Sequence, residues 1–359
     1  GGTAWWAVRS AVEAKYKTVR YSGKERDATG LYYYEFRYYA PWLQRWISPD
    51  PAGDVQGFNR YGFVGNNPVS NVEADGKVYE GFNDVIEQVV TRNGDPIRWR
   101  GMSEFEPSVQ ARMLASFAEV SQMFTDALNM VADYPEEAGP TLQNYFGPRY
   151  ADVLGTVQDA WTKTGALAAE YIKGWGVDKW VGIDRADPTS LASIVTGDFH
   201  GRIFMNTNQT SHLELNITLA HELSHFNRVN RLSSAGPGTV DHFYIWEGAI
   251  DILTGQTDNN FDVKAEGVSQ VIMNGGLNIK YLYQQPSFYG TFFRRVSFLN
   301  EGPDFRGVGR ALEVFNTQPL VSAHMAAENA DSVAFAALSL QRQYRWRQQN
   351  AKQLRQMLN

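Results

Sequence analysis

The 359-residue chain contains no cysteine. No disulfide can staple it and no thiolate can act as nucleophile or metal ligand, so it suits a reducing compartment as well as any other. Histidine is scarce, with six in all, so two imidazoles close together in the chain stand out. No apolar run approaches the roughly 18 residues of a membrane-crossing helix, and no signal-like stretch opens the sequence. Excess positive charge is missing too. Lysine and arginine total 33 against 39 aspartates and glutamates, a formal net charge of −6. The one basic cluster, Arg342, Arg345, Arg347, Lys352 and Arg355, reads as the charged outer face of a terminal helix, and no nucleic-acid partner is expected.

What is present suffices for a sizeable core. At 43% hydrophobic and 20% charged, a chain of this length is expected to form about two units. The first stretch is rich in tyrosine and tryptophan with glycine, proline, asparagine and aspartate between them, the pattern of short strands and tight turns. Beyond it the spacing becomes helical. Met113, Phe117, Val120, Met123 and Phe124 repeat at three to four residues within 107–131, as do Val153, Val157 and Trp161. Residues 201–206 read as a short strand whose edge could hold a peptide by strand addition, or as a plain hairpin.

Residues 221–225 read His-Glu-Leu-Ser-His. On a helix this spacing puts both imidazoles on one face, where they can grip one zinc ion beside a carboxylate that moves protons. Leu215, Leu219, Leu223 and Phe226 supply the apolar stripe, and Ser211 with Glu214 a capping-box start. A catalytic site needs a third protein ligand and an open fourth position. Spacing offers Asp241, 16 residues after His225, or Glu247, 22 residues after it, with Asp251 as a group that could orient a histidine from behind.

His221-Glu222-Leu223-Ser224-His225 followed by Gly238-Thr239-Val240-Asp241-His242-Phe243-Tyr244, and later Asn329-Ala330-Asp331-Ser332, resembles the aspzincin pattern of deuterolysins and peptidyl-lysine metalloendopeptidases. The resemblance implies that His221, His225 and Asp241 bind zinc, that Glu222 is the general base, and that Tyr244 donates to the developing oxyanion. His242 then becomes a neighbour of the ligands or a donor toward substrate. The chain departs from the family where Ile245 replaces a glycine and in a longer loop before Asp241, which bears on pocket shape. A gluzincin-type site using Glu247 is the alternative enzyme, and a closed structural metal site the alternative without catalysis.

Ahead of this region, Tyr21-Ser22-Gly23-Lys24-Glu25-Arg26-Asp27-Ala28-Thr29-Gly30-Leu31-Tyr32, Arg45-Trp46-Ile47-Ser48-Pro49-Asp50-Pro51 and Tyr61-Gly62-Phe63-Val64-Gly65-Asn66-Asn67-Pro68 resemble the core associated with RHS repeats. That family forms a shell around a variable C-terminal toxin and cleaves itself at the end of the core, which makes Asp50, Glu73 and Asp75 candidates for self-cleavage. Together the resemblances imply a β-rich RHS core remnant over 1–76 and a mainly α (α+β) zincin-like metallopeptidase over 77–359. They imply a zinc endopeptidase effector exported by a specialised secretion or toxin-complex system and acting on proteins in a target-cell cytoplasm. The RHS shell and a cognate immunity protein are the implied partners. Any export signal would lie in parts of the protein outside this sequence, and this stretch itself is expected not to insert into membranes.

Overall fold

A computed structural model describes residues 24–51, 59–64, 72–73, 76, 79–80, 87, 90, 96–185, 191–195, 198, 200–208, 212–245, 249–254, 261–284, 286–300 and 307–358. It is mostly helical, with small sheets. The chain divides into Gly1–Pro96 with Val195–Phe199, and Ile97–Ile194 with His200–Asn359. Ile97, at the start of the second unit, opens a strand that pairs within it. Among the described residues no helix is long and apolar enough to cross a membrane.

In the first unit, strands β1 (Tyr32–Tyr33), β2 (Tyr38–Ala40) and β3 (Arg45–Trp46) form an antiparallel sheet, and β4 (Val72–Glu73) pairs with β5 (Tyr79–Glu80). Side chains alternate between faces, so Tyr32, Tyr34, Tyr39 and Trp46 are buried with Phe63 and Val64 while Tyr33 and Tyr38 stay exposed. Inside, Tyr39 stacks on Phe63 at 3.7 Å and Trp46 meets Phe63 edge-on at 5.1 Å. The Arg37 guanidinium lies 4.0 Å over Trp46, pairs with Asp50 at 2.9 Å and donates to the Gly76 carbonyl. Gly76 has φ +87°, and a Cβ there would sit 2.7 Å from the Tyr34 carbonyl oxygen, so only glycine fits.

The second unit begins with β6 (Ile97–Arg100). Helices α1 (Pro107–Asp133), α2 (Pro135–Phe146) and α3 (Tyr150–Glu170) follow, then β7 (Trp180–Ile183), β8 (Ala192–Ser193) and β9 (Ile203–Asn206). Proline opens α1 and α2, where its missing N–H costs nothing. The helical repeats read from the sequence fall in α1 and α3. The sheet order is β6-β7-β9-β8, with β7 and β9 parallel and the outer pairs antiparallel. The strand expected at 201–206 is therefore interior, and among the described residues β6 and the short β8 are the two edges.

Helix α4 (His212–Ser224) carries the two-histidine motif, with Leu219, Ala220 and Leu223 fully buried. Ser211, the expected cap, lies outside the described residues. Then come α5 (Ala249–Thr254), α6 (Phe261–Val271), α7 (Ile279–Gln284), α8 (Pro286–Leu299), α9 (Val308–Thr317), α10 (Pro319–Ala327) and the long α11 (Ala330–Leu358). A column of near-parallel rings ties these layers together. Trp180 of the sheet stacks on Phe117 at 5.0 Å, Phe117 on Tyr171 at 5.7 Å, and Tyr171 on Phe226 at 6.2 Å, just past α4.

The chain from α4 to Asp241 is anchored at two points. Gly238, at φ +71°, approaches Asn227 so closely that a Cβ would lie 2.1 Å from its Oδ1. The Glu170 carboxylate accepts hydrogen bonds from the backbone and hydroxyls of Ser233 and Ser234. Partial burial works against the charge, but those serine donors outweigh it and hold the Glu170 pKa down at about 2. A depressed folded-state value means the clamp contributes fully above the ordinary glutamate pKa and fades as pH falls toward 2. Glu170→Gln is thus expected to lower unfolding stability by about 1 kcal/mol at pH 7, allowing for solvent screening. In urea melts the difference should vanish near pH 2, and an equal gap at both pH values would contradict the clamp.

Candidate metal centre

Helix α4 ends at Ser224, so His225 stands one residue beyond it, in a turn. The turn is held by the Ser224 hydroxyl, which donates to the His221 carbonyl at 2.6 Å and lies 2.5 Å from Thr239 Oγ1. Both imidazoles still meet, with their Nε2 atoms 3.1 Å apart. His225 Nδ1 lies 2.9 Å from the Thr239 carbonyl oxygen and His221 Nδ1 lies 2.7 Å from Asp331 Oδ1. A carbonyl and a carboxylate can only accept, so each Nδ1 carries a hydrogen, and each Nε2, once free of a proton, presents a lone pair toward the same point.

Asp241 completes the group. Its Oδ1 is 3.4 Å from each Nε2. Among the described residues this buried oxygen has no hydrogen-bond donor, a costly state for a carboxylate unless a cation neutralises it. The three ligand atoms lie within 4.8 Å of one another. Two neutral imidazoles and a carboxylate form a donor set suited to zinc, so the residues fit the metal that the sequence leads one to expect.

Residues 240–245 have no helix or strand of their own and are held by the start of α11. Val240 N–H donates to the Glu328 carbonyl at 2.9 Å and Ala330 N–H to the Val240 carbonyl at 3.2 Å. Asn329 Oδ1 accepts from the backbone of His242 at 2.9 Å and of Phe243 at 3.2 Å. Asp331 spends one oxygen on His221 and the other on the Ile245 N–H, at 2.5 Å. Among the described residues the acid that orients His221 is Asp331, while a backbone carbonyl serves His225. Asp331 was visible in the sequence only as part of a motif, because its histidine partner lies 110 positions away.

Burial alone would push the His221 pKa down, but the Asp331 charge and hydrogen bond, with Asp241 and Glu222 behind, lift it to about 10. A metal ion bound at that imidazole would have to displace the proton. His225 goes the other way, lowered by burial and by the neighbouring His221. Glu222 is raised to about 7, chiefly by burial, and its Oε2 accepts from the Ile194 N–H at 3.2 Å, beside the edge strand β8. Tyr244 is raised by burial and by Asp241, so its hydroxyl keeps its proton; it lies 3.5 Å from Asp241 Oδ2.

The other expected residues are placed as follows. His242 is almost fully buried and its pKa falls to about 3 through burial and Arg295, but its ring nitrogens bond to none of the ligands. Glu247 and Asp75 lie outside the described residues, as does the Asp251 side chain. Within the first unit, Asp50 is engaged by Arg37 at 2.9 Å, and the buried Glu73 accepts from the Gly76 N–H at 3.1 Å.

No family model matches the chain. Over 76 residues, within its RHS-like N-terminal region, it is 67% identical to "Toxin subunit YenC2" of Yersinia entomophaga, covering 21% of this chain and 8% of that one. Over 69 residues it is 45% identical to "tRNA nuclease WapA" of Bacillus subtilis (strain 168), covering 18% of this chain and 3% of that one. Among solved structures, that of TcdB2-TccC3 shares 64% identity over 21% of this chain and 4% of its own, with a TM-score of 0.20 that carries no argument about fold.

If Asp331 sets the basicity and direction of His221, Asp331→Asn should weaken zinc binding by about 10- to 100-fold in chelator competition. Unchanged affinity would show that the carboxylate is only a structural tie.

Proposed function

We propose that the second unit is a zinc-dependent endopeptidase, carried as the effector part of a larger toxin. The observation that carries this reading is the convergence of His221 Nε2, His225 Nε2 and Asp241 Oδ1, with Glu222 held beside them at a pKa near neutrality. When bound, zinc supplies Lewis-acid chemistry, polarising a carbonyl and bringing the pKa of water toward 7. Glu222 takes a proton from the attacking water and returns it to the departing amine. Tyr244, kept protonated, donates to the oxygen on which charge develops. Among the described residues β8 is paired on one side only, and its free side suits an extended peptide added as a further strand.

The N-terminal similarity supports the toxin context but not the chemistry, since proteins named as a toxin subunit and as a tRNA nuclease share it. The chemistry is read from the second unit alone. In this reading the substrate is a protein of the target-cell cytoplasm, and the RHS shell and an immunity protein are the partners. The metal cluster among the described residues has three members, the number of protein ligands that a catalytic zinc site takes.

Purified protein should cleave an unfolded polypeptide, lose that activity to a chelator and regain it with zinc. Glu222→Gln should keep its zinc and lose about 100-fold or more in kcat/KM. Cleavage that survives the chelator, or a fully active Glu222→Gln variant, would overturn the proposal.

A further inference from the structure

Tyr281, on α7, belongs to none of the motifs that mark the site, and it is fully buried although it carries a hydroxyl. That hydroxyl accepts a hydrogen bond from the Tyr244 backbone N–H at 2.7 Å and donates to the Tyr244 carbonyl. A single side-chain atom thus engages both backbone groups of the residue whose own hydroxyl stands beside Asp241. The support is itself held, since Tyr281 N–H donates to Asn278 Oδ1 at 3.0 Å and Asn278 Nδ2 donates to the Ile252 carbonyl at 3.3 Å. On the other side, Ile245 N–H is taken by Asp331. The peptide planes flanking the Tyr244 side chain are therefore fixed from two different helices.

We propose that Tyr281 is a positioning residue that sets the direction of the Tyr244 hydroxyl. The inference rests on the reading of Tyr244 as the oxyanion donor. The backbone of an irregular segment has no ladder of its own to resist rotation, and pinning both its N–H and C=O to one point removes that freedom. A shift of about 1 Å in a reacting group can cost roughly 100-fold in rate, so the hydroxyl of Tyr281 acts on the reaction without touching substrate.

Tyr281→Phe keeps the buried ring and deletes one oxygen. Amide exchange at Tyr244 should accelerate in this variant while exchange in α4 and zinc affinity stay as in the wild type. In turnover, kcat should fall about tenfold or more with KM unchanged. The double variant Tyr244→Phe/Tyr281→Phe should be no slower than Tyr244→Phe alone, because the second change acts only through the first. Independent, additive losses or unchanged exchange at Tyr244 would overturn the proposal. If Tyr281→Phe fails to fold, Asn278→Ala, which loosens Tyr281 itself, is subject to the same two criteria. A wild-type protein that hydrolyses nothing would remove the peptidase reading instead, and exchange at Tyr244 would still decide whether Tyr281 holds it.

Discussion

The site depends on a tie between two segments far apart in the chain, the irregular stretch 240–245 and the first turn of α11. Asp241 can face the two imidazoles only while that stretch is held, and the hold consists of Val240 bracketed by Glu328 and Ala330, Asn329 accepting two backbone N–H groups, and Asp331 accepting a third. Asn329 and Asp331 are buried, so losing either would leave main-chain N–H groups without a partner away from water. Because Asp331 also orients His221, one carboxylate couples the helix-borne ligand to the loop-borne one.

It follows that the centre exists only once α11 has docked. The long α11 packs on α1, α2 and α4, and Trp161 of α3 reaches it through its indole N–H, 2.9 Å from the Val333 carbonyl. In the proposed reading, metal binding is then linked to folding of the whole second unit. The proton on His221 adds a linkage to pH, since its raised pKa means that cation and proton compete for the same imidazole.

Much of this was legible in the sequence, for identifiable reasons. The helices around Met113–Phe124 and Val153–Trp161 announced themselves through a 3.6-residue repeat that burial requires. His221, Glu222 and His225 were legible because helix geometry converts their spacing into a shared face, and Asp241 because its motif resembled a known pattern. Contacts between segments remote in the chain were not legible. Nothing in the composition of 278–281 distinguishes Tyr281 from any other buried tyrosine, and nothing local pairs Asp331 with a histidine 110 positions earlier. The strand at 203–206 was legible as a strand, but whether it lay at an edge was not, because its outer neighbour β8 has only two residues and carries no periodic signal. In the first unit the aromatic surplus was visible in composition. The structure divides it into a small interior and an exposed remainder of Tyr33, Phe36, Tyr38, Trp42 and Tyr61.

The most direct test is an anomalous difference map at the zinc edge from crystals of the zinc-loaded chain. The account predicts one peak about 2 Å from His221 Nε2, His225 Nε2 and an Asp241 carboxylate oxygen, with a fourth position free of protein atoms. No peak between the two imidazoles, Glu247 in place of Asp241, or a fourth protein ligand closing the site would contradict it.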